Sequence, residues 1–184
     1  MAKTVAVLLA DGFEPLEVVA PVDILRRGGV DVILVSLKDS LPVTSAQTIT
    51  MMADVSISTI DLSNSDLLMI PGGSLGVQNI GLSQAATTEI ARRMEANEPI
   101  AAICAGPMVL GNMGLLGGRK AVCYPGCEED WPKGVYQPGK DVEVDDNLIT
   151  ATGPGTAIPF GLTVLEYLEG EKTAKQVATS MLIK

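Results

Sequence analysis

Short apolar runs alternate with segments of helical periodicity along most of the chain. The runs are rich in Val, Ile, Leu and Ala and are bounded by Gly, Pro, Asp or Asn, which is typical of buried strands. We predict strands at residues 4–10, 30–37, 67–70, 100–103, 121–124, 141–144 and 148–152. Helical spacing predicts helices at residues 15–27, 84–97, 156–168 and 173–183, and another that ends at residue 113. Residues 42–52 alternate in the manner of an exposed hairpin.

Two of these helices carry expectations about individual side chains. The first helix begins at Pro15, whose missing N–H costs nothing at that position, and ends before two glycines. Its inward-facing residues are expected to be Leu16, Val19, Ala20 and Leu25. In the helix at residues 84–97, adjacent Arg92 and Arg93 are typical of a solvated charged face.

The order of the elements predicts a sheet covered by helices on both faces. Repeated strand–helix alternation with short connections produces a mostly parallel sheet, and ligands bind beyond the carboxyl ends of its strands. Turns at residues 11–14, 71–73 and 104–107 each follow a predicted strand, so we expect them to form one site at one edge. A chain of 184 residues without linkers or repeats predicts a single domain over residues 1–184.

Charge and cysteine content narrow the classes of function. With 13 Lys and Arg against 22 Asp and Glu, the net charge of −9 argues against nucleic acid and anionic membranes as partners. No apolar run approaches the roughly 20 residues of a membrane span, and the N-terminal run is too short for a secretory signal. Three cysteines, an odd number, favour a reducing compartment over a disulfide framework. We therefore expect a cytoplasmic protein.

Cys104 is the residue most informative about chemistry. It follows an apolar strand and precedes Ala105-Gly106-Pro107, a pattern that predicts a strand–nucleophile–helix turn at the sheet edge. The positive end of the following helix is expected to lower the thiol pKa and favour the thiolate. The alternative is an inert buried cysteine, the commoner fate of a lone thiol that ends a strand. The chain contains no histidine, so no imidazole assists Cys104.

The other two cysteines carry a weaker signal. Cys123 and Cys127 lie four residues apart, but there is no histidine and no second pair to complete a metal site. We interpret them as ordinary thiols and expect neither a metal nor a cofactor.

Four short motifs follow one another along the chain. They are Ala10-Asp11-Gly12-Phe13-Glu14-Pro15-Leu16-Glu17, Pro71-Gly72-Gly73, Ala101-Ala102-Ile103-Cys104-Ala105-Gly106-Pro107 and Gly153-Pro154-Gly155-Thr156. In this order and spacing they resemble the DJ-1/ThiJ/PfpI family, and its DJ-1-like branch in particular. The resemblance implies a flavodoxin-like three-layer α/β/α sandwich with a mostly parallel sheet.

The resemblance also implies roles for particular residues. Cys104 would be the reactive cysteine and Glu17 the partly protonated acid that hydrogen-bonds to it. On its own, Glu17 could merely complement the dipole of its helix. The backbone N–H groups of Gly73 and Ala105, with Gly72 beside them, would face the sulfur and stabilise an oxyanion.

Further residues are assigned to the pocket and to a subunit contact. Tyr124, Glu14 and Gly155 are candidate pocket residues. DJ-1-like proteins are usually homodimers through the first helix, which implies that Asp23 and Arg27 lie near a partner subunit.

The chain departs from the family in its lack of histidine. Tyr124 stands where the animal DJ-1 branch has a histidine, and Ala105 stands where protease-like branches place one. A Cys–His dyad is therefore impossible in this chain or its homodimer, which argues against protease or amidotransferase chemistry. The Tyr124 hydroxyl is a poor base at neutral pH, which leaves Glu17 as the acid–base neighbour of Cys104.

Two functions remain open from the sequence. In the first, Cys104 adds to a small α-oxoaldehyde and Glu17 moves a proton, as in the glyoxalase III and deglycase activities associated with the family. In the second, the protein is a non-catalytic stress sensor or redox-regulated chaperone whose Cys104 is oxidised to sulfenate or sulfinate. The expected partner is accordingly a small aldehyde or an oxidant.

Overall fold

A seven-stranded sheet runs through the middle of the molecule in the computed structural model, which describes residues 2–183. The strands are β1 (Thr4–Leu9), β2 (Asp31–Ser36), β3 (Pro42–Thr44), β4 (Thr50–Met52), β5 (Val55–Ser56), β6 (Leu67–Ile70), β7 (Ile100–Ile103), β8 (Val142–Asp145) and β9 (Leu148–Ala151). The helices are α1 (Pro15–Arg27), α2 (Ser74–Leu82), α3 (Gln84–Ala96), α4 (Pro107–Asn112), α5 (Ala157–Glu169) and α6 (Glu171–Ser180).

The strand order is β5-β2-β1-β6-β7-β9-β8, and every neighbouring pair is parallel except β8 with β9. The antiparallel β8–β9 pair occupies one edge, where the sequence predicts two strands joined by a tight turn. The excursion at residues 42–52 forms the predicted hairpin, in which β3 pairs with β4 outside the main sheet. The predicted mostly parallel sheet is confirmed.

Helices cover both faces of this sheet, because its central strands are apolar on both sides. In β1, Val5, Val7 and Leu9 belong to a core formed with α1, α5 and α6. The alternate residues Ala6 and Leu8 belong to a second core, formed with α2, α3 and α4. Successive residues of a strand point to opposite faces, so one apolar strand contributes to both cores. The three-layer α/β/α arrangement is confirmed.

Three elements differ from the sequence prediction, one of which is the two-residue edge strand β5, which is not predicted. Helix α2 is not predicted, because Gly76 and Gly81 lower the helix propensity of its segment. The glycine at position 76 is explained by a tertiary contact. A Cβ there would lie 3.0 Å from the backbone of Phe13, so the close approach of the two segments leaves little room for a side chain. The strand predicted at residues 121–124 is wrong, since within residues 2–183 this segment forms an isolated bridge, between Ala121 and Tyr136, rather than a strand.

Three side-chain predictions are also wrong. On α1, Leu16 and Val19 are 57% and 51% exposed, because the buried face of the helix is formed by other positions, including Val18 and Leu25. Arg93 on α3 is fully buried rather than solvated. Its guanidinium donates to Glu89 at 2.6 Å and to three oxygen atoms of residues 62 and 65, each at 2.8 Å. A buried cation is tolerated when each donor finds such a partner.

The sheet order brings the three predicted turns together. Strands β1, β6 and β7 are neighbours, so the segments that follow them meet at the carboxyl edge of the sheet. The Glu14 N–H donates to the Gly72 carbonyl at 3.1 Å, and the Gly76 N–H donates to the Gly12 carbonyl at 3.3 Å. These bonds fix the turn at residues 11–14 relative to the segment that follows β6. Within residues 2–183, no helix combines the length and apolar character needed to cross a bilayer.

Candidate active site

Cys104 occupies a sharp turn between β7 and α4. Its φ of +63° lies in the left-handed region, which a residue with a side chain rarely adopts. The turn is held on both sides: the Cys104 N–H donates to the Ala151 carbonyl and the Tyr124 N–H donates to the Cys104 carbonyl, both at 2.9 Å. Pro107 then opens α4. The turn has the strand–nucleophile–helix form that the sequence predicts, and it presents the thiol at the edge of the sheet.

Glu17 lies close to Cys104. It is in the first turn of α1, and its side chain is fully buried. Its Oε2 accepts the Gly72 N–H at 2.8 Å, whereas Oε1 has no hydrogen-bond partner among the described residues. The Cys104 thiol is nonetheless close enough to perturb the pKa of the Glu17 carboxyl. A buried carboxyl oxygen without a donor is the arrangement expected of a protonated acid.

Burial dominates the electrostatics of this pair. It raises the pKa of Glu17 to about 7, against smaller lowering effects from Cys104 and the Gly72 N–H. Burial, with the charge of Glu17, raises the pKa of the Cys104 thiol to about 12. The prediction of a lowered thiol pKa is therefore wrong, because desolvation outweighs the short helix α4. Because the two groups interact, they titrate as a pair that loses its first proton near pH 7.

Two backbone N–H groups face the sulfur and favour its ionised form. They belong to Gly73 and Ala105, and both lower the pKa of the Cys104 thiol. The conformation of Gly73 requires glycine, since its φ is +93° and a Cβ there would lie 2.2 Å from the Gly12 carbonyl oxygen. The donors predicted at Gly73 and Ala105 therefore lie at the thiol, while the Gly72 N–H is directed at Glu17 instead.

Cys104 opens onto a cavity of about 980 Å³. Of the predicted pocket residues, Glu14 and Tyr124 line it, whereas Gly155 does not and Pro154 lies there instead. The Glu14 carboxylate accepts a hydrogen bond from Gln47 at 3.0 Å. Tyr124 is 51% exposed, which agrees with a wall residue.

The sequence reasoning missed most of the cavity wall, which α2 and α4 supply. It also missed that Cys127 lines this cavity. Cys123 is fully buried, and its thiol lies 3.7 Å from the Glu128 carboxylate. Among residues 2–183, no group of three His, Cys, Asp or Glu side chains is arranged to hold a metal ion.

Asp23 and Arg27 lie away from the cavity, on α1. Their side chains are about half exposed and form an ion pair of 2.9 Å, one helical turn apart. Leu16 and Val19, also on α1, are among the exposed large apolar side chains of the molecule.

This geometry can be compared with known proteins. A sequence model of the DJ-1/PfpI family matches residues 3–167. The chain belongs to the DJ-1/PfpI family. The Parkinson disease protein 7 homolog of Danio rerio is 35% identical, and the match covers 99% of this chain and 98% of that protein. DJ-1 homolog B of Arabidopsis thaliana is 34% identical, but this chain spans only 42% of its length.

Some relatives have names that state an activity. The glutathione-independent glyoxalase DJR-1.2 of Caenorhabditis elegans is 32% identical over 93% of this chain and 92% of its own. A deglycase of Pyrococcus abyssi is 33% identical over 82% of this chain and 90% of its own. Among solved structures, DJ-1beta of Drosophila melanogaster superposes with a TM-score of 0.95, at 32% identity and complete coverage of both chains.

Proposed function

We propose that this protein is a cysteine-dependent enzyme that converts α-oxoaldehydes such as methylglyoxal to 2-hydroxy acids without glutathione. The observation that carries the proposal is the pairing of Cys104, at the cavity, with a buried carboxyl whose pKa is about 7. Such a group can accept and return a proton near neutral pH. The glyoxalase and deglycase names of two relatives support the same substrate class.

The first step forms a bond between sulfur and carbon. Glu17 takes the proton of the Cys104 thiol, and the thiolate adds to the aldehyde carbon. The aldehyde oxygen becomes an alkoxide, and the N–H groups of Gly73 and Ala105, which lie at the sulfur, would stabilise it. Glu17 then returns its proton to this oxygen, which gives a neutral hemithioacetal and restores the carboxylate.

The second step moves a hydrogen between adjacent carbons. The Glu17 carboxylate removes the proton from the carbon bonded to sulfur and passes it to the oxygen of the adjacent ketone, which gives an enediol. Glu17 then takes the hydroxyl proton from the sulfur-bearing carbon and delivers it to the second carbon, which gives a thioester. Water then hydrolyses the thioester, releases the 2-hydroxy acid and restores the thiol. The net reaction adds one water and needs no redox partner.

A second candidate function is oxidation sensing by Cys104. The observation that favours it is the absence of any histidine, which limits attack on aldehydes, together with a buried Glu17 carboxyl that holds its proton beside the sulfur up to about pH 7. Peroxide would convert the thiolate to sulfenate and then to sulfinate, and a protonated Glu17 would donate a hydrogen bond to the sulfinate oxygen.

Lactate formation from methylglyoxal without glutathione tests the enzymatic proposal. We expect turnover by the wild type, none by Cys104→Ser, and a loss of roughly 10²- to 10⁴-fold in Glu17→Gln. Glu95→Gln, at an exposed position on α3, is the matched control and should retain wild-type turnover. Absence of Cys104-dependent turnover would contradict the proposal.

Intact mass measurement after mild peroxide treatment tests the sensor. Selective addition of two oxygen atoms at Cys104, in a protein without turnover, would favour sensing. If the protein turns over methylglyoxal and the same oxidation inactivates it, formation of the sulfinate is damage to an enzyme and not the signal of a sensor.

We also propose that the protein is a homodimer through α1. Leu16 and Val19 present apolar surface there, and the Asp23–Arg27 ion pair lies on the same helix. Exposed apolar side chains grouped on one element are typical of a subunit contact.

A further inference from the structure

The cavity extends away from Cys104 as a groove between two helices. Helix α2 and the segment that begins at Ala105 and includes α4 each contribute five lining residues. In each wall these residues lie at positions i, i+3, i+4, i+7 and i+8, which share one face of a helix. From α2 these are Ser74, Val77, Gln78, Gly81 and Leu82, and from the other wall Ala105, Met108, Val109, Asn112 and Met113. The nucleophile lies at the Ser74–Ala105 end.

The interior of this groove is apolar and its rim is polar. Val77 and Val109 are buried at its floor, and Met108 and Met113 are half-buried along the wall. Methionine side chains adapt their shape to an apolar ligand. Leu82, at the end farthest from Cys104, is 83% exposed. An apolar group in the groove would cover surfaces that now face water.

The charges along the groove disfavour an anionic substituent on the substrate. Among the described residues that line it there is no lysine or arginine, and the ionisable carboxyl group there is that of Glu14. A phosphate or carboxylate would find no cationic partner and would meet a negative charge. The substituent that fits is therefore uncharged.

The size of the groove exceeds what a methyl group can fill. From Ser74 to Leu82 the helix rises about 12 Å. The cavity volume of about 980 Å³ is near the upper end of the usual range for small-ligand pockets. Methylglyoxal bound at Cys104 would leave the wall from Val77 to Leu82 exposed to water.

We propose that the α2–α4 groove binds an uncharged alkyl substituent on the substrate, so that the preferred substrates are long-chain alkylglyoxals rather than methylglyoxal. The reacting carbonyls lie at Cys104 and the chain extends toward Leu82 and Met113. This inference rests on the proposed function and names the substrate class of the same site.

Gly81 offers a direct way to fill the far end. A Cβ on Gly81 would meet no atom within 4 Å, and its backbone is helical, so leucine is accommodated without strain. Its side chain would occupy the groove. Gly117 is the matched control, because it is exposed, has open space around a Cβ and does not line the cavity.

The experiment compares n-hexylglyoxal with methylglyoxal in the wild type, Gly81→Leu and Gly117→Leu. We expect kcat/KM of the wild type to be at least about tenfold higher for n-hexylglyoxal, because its chain buries several methylenes. The ratio of the two kcat/KM values should fall about tenfold in Gly81→Leu. It should be unchanged in Gly117→Leu.

The outcomes separate the groove from the proposed function. Turnover of methylglyoxal with no preference for the longer chain overturns the groove proposal and leaves the enzymatic one intact. If neither aldehyde is converted, the enzymatic proposal fails, and calorimetric titration of Cys104→Ala with octan-2-one decides on the groove. If octan-2-one binds and adding Gly81→Leu weakens that binding, the groove is an alkyl site. If octan-2-one does not bind, the groove proposal is overturned.

Discussion

Glu17 and Cys104 approach each other across Gly72. A Cβ on Gly72 would lie 2.5 Å from Glu17 Oε2 and 2.7 Å from Cys104 Cβ. The same glycine donates its N–H to that Glu17 oxygen. The spacing of the acid and the thiol therefore depends on the absence of a side chain at position 72.

Gly72→Ala should impair catalysis more than folding. Its methyl group would displace the Glu17 carboxyl or the Cys104 side chain, and a displacement of about 1 Å at a reacting group can lower the rate about 10²-fold. We expect overpacking to cost about 1–3 kcal/mol of stability. Lactate formation and denaturant unfolding measure the two effects, and Gly117→Ala is the control. An unchanged rate would show that the Glu17–Cys104 spacing does not control turnover.

The buried Glu17 carboxyl should make stability depend on pH near neutrality. Its pKa is about 7 in the folded protein, against an ordinary value of 4.5 for a glutamate side chain. Between these two pKa values the folded state keeps a proton that the unfolded chain has lost, so the stabilisation by Glu17 is complete below pH 4.5 and is lost as pH rises through 7. The contribution is about 3 kcal/mol.

Glu17→Gln isolates this contribution, because glutamine imitates the protonated acid. Urea unfolding at about pH 5 and pH 8 should show wild-type stability falling relative to the variant across this range. Carboxylates whose pKa is lowered, such as Asp66, affect both proteins equally. Parallel pH profiles for the two proteins would mean that Glu17 is ionised throughout.

Arg93→Ala should be much more destabilising than Arg92→Ala. Removal of the buried Arg93 side chain deprives the Glu89 carboxylate of one of its ion-pair partners and leaves the carbonyl oxygens of Leu62 and Ser65 without this donor. We expect the free energy of unfolding to fall by about 3–5 kcal/mol. The Arg92 side chain is 38% exposed and its ion pairs are worth about 0–1 kcal/mol. Thermal unfolding of the two variants provides the comparison. Equal losses would contradict the structural role of Arg93.

Val19→Asp should dissociate the proposed homodimer. An aspartate would place a charge in an apolar contact, whereas Val144→Asp makes the same change at an exposed position on β8. Sedimentation velocity should show a dimer for the wild type and Val144→Asp, and a monomer for Val19→Asp. A monomeric wild type would exclude the homodimer itself.

The sequence predicts the part of the site that depends on short-range signals. An apolar run that ends in Cys104 and continues into Ala105-Gly106-Pro107 specifies a strand, a turn and a helix locally. Turns after parallel strands meet at one edge of a sheet, so the approach of residues 11–14, 71–73 and 104–107 also follows from the pattern.

What the sequence cannot predict depends on contacts between distant segments. Gly76 argues against a helix by propensity, but the backbone of Phe13 leaves no space for a Cβ, and α2 forms around this contact. The sequence predicts Arg93 to be a surface cation because its acceptors, the carbonyl groups of Leu62 and Ser65, are distant along the chain and meet it only in the folded protein. The thiol pKa likewise depends on burial and on Glu17, which a helix-terminus argument omits.

The left-handed backbone at Cys104 separates the requirements of folding from those of function. A non-glycine residue at a φ of +63° costs about 1–2 kcal/mol, which the surrounding hydrogen bonds must offset. Glycine would relieve that strain and complete the same turn. The backbone of this turn therefore does not require a cysteine, and the strain is accepted for the sake of a side chain that packs against both cores and presents its sulfur to the cavity.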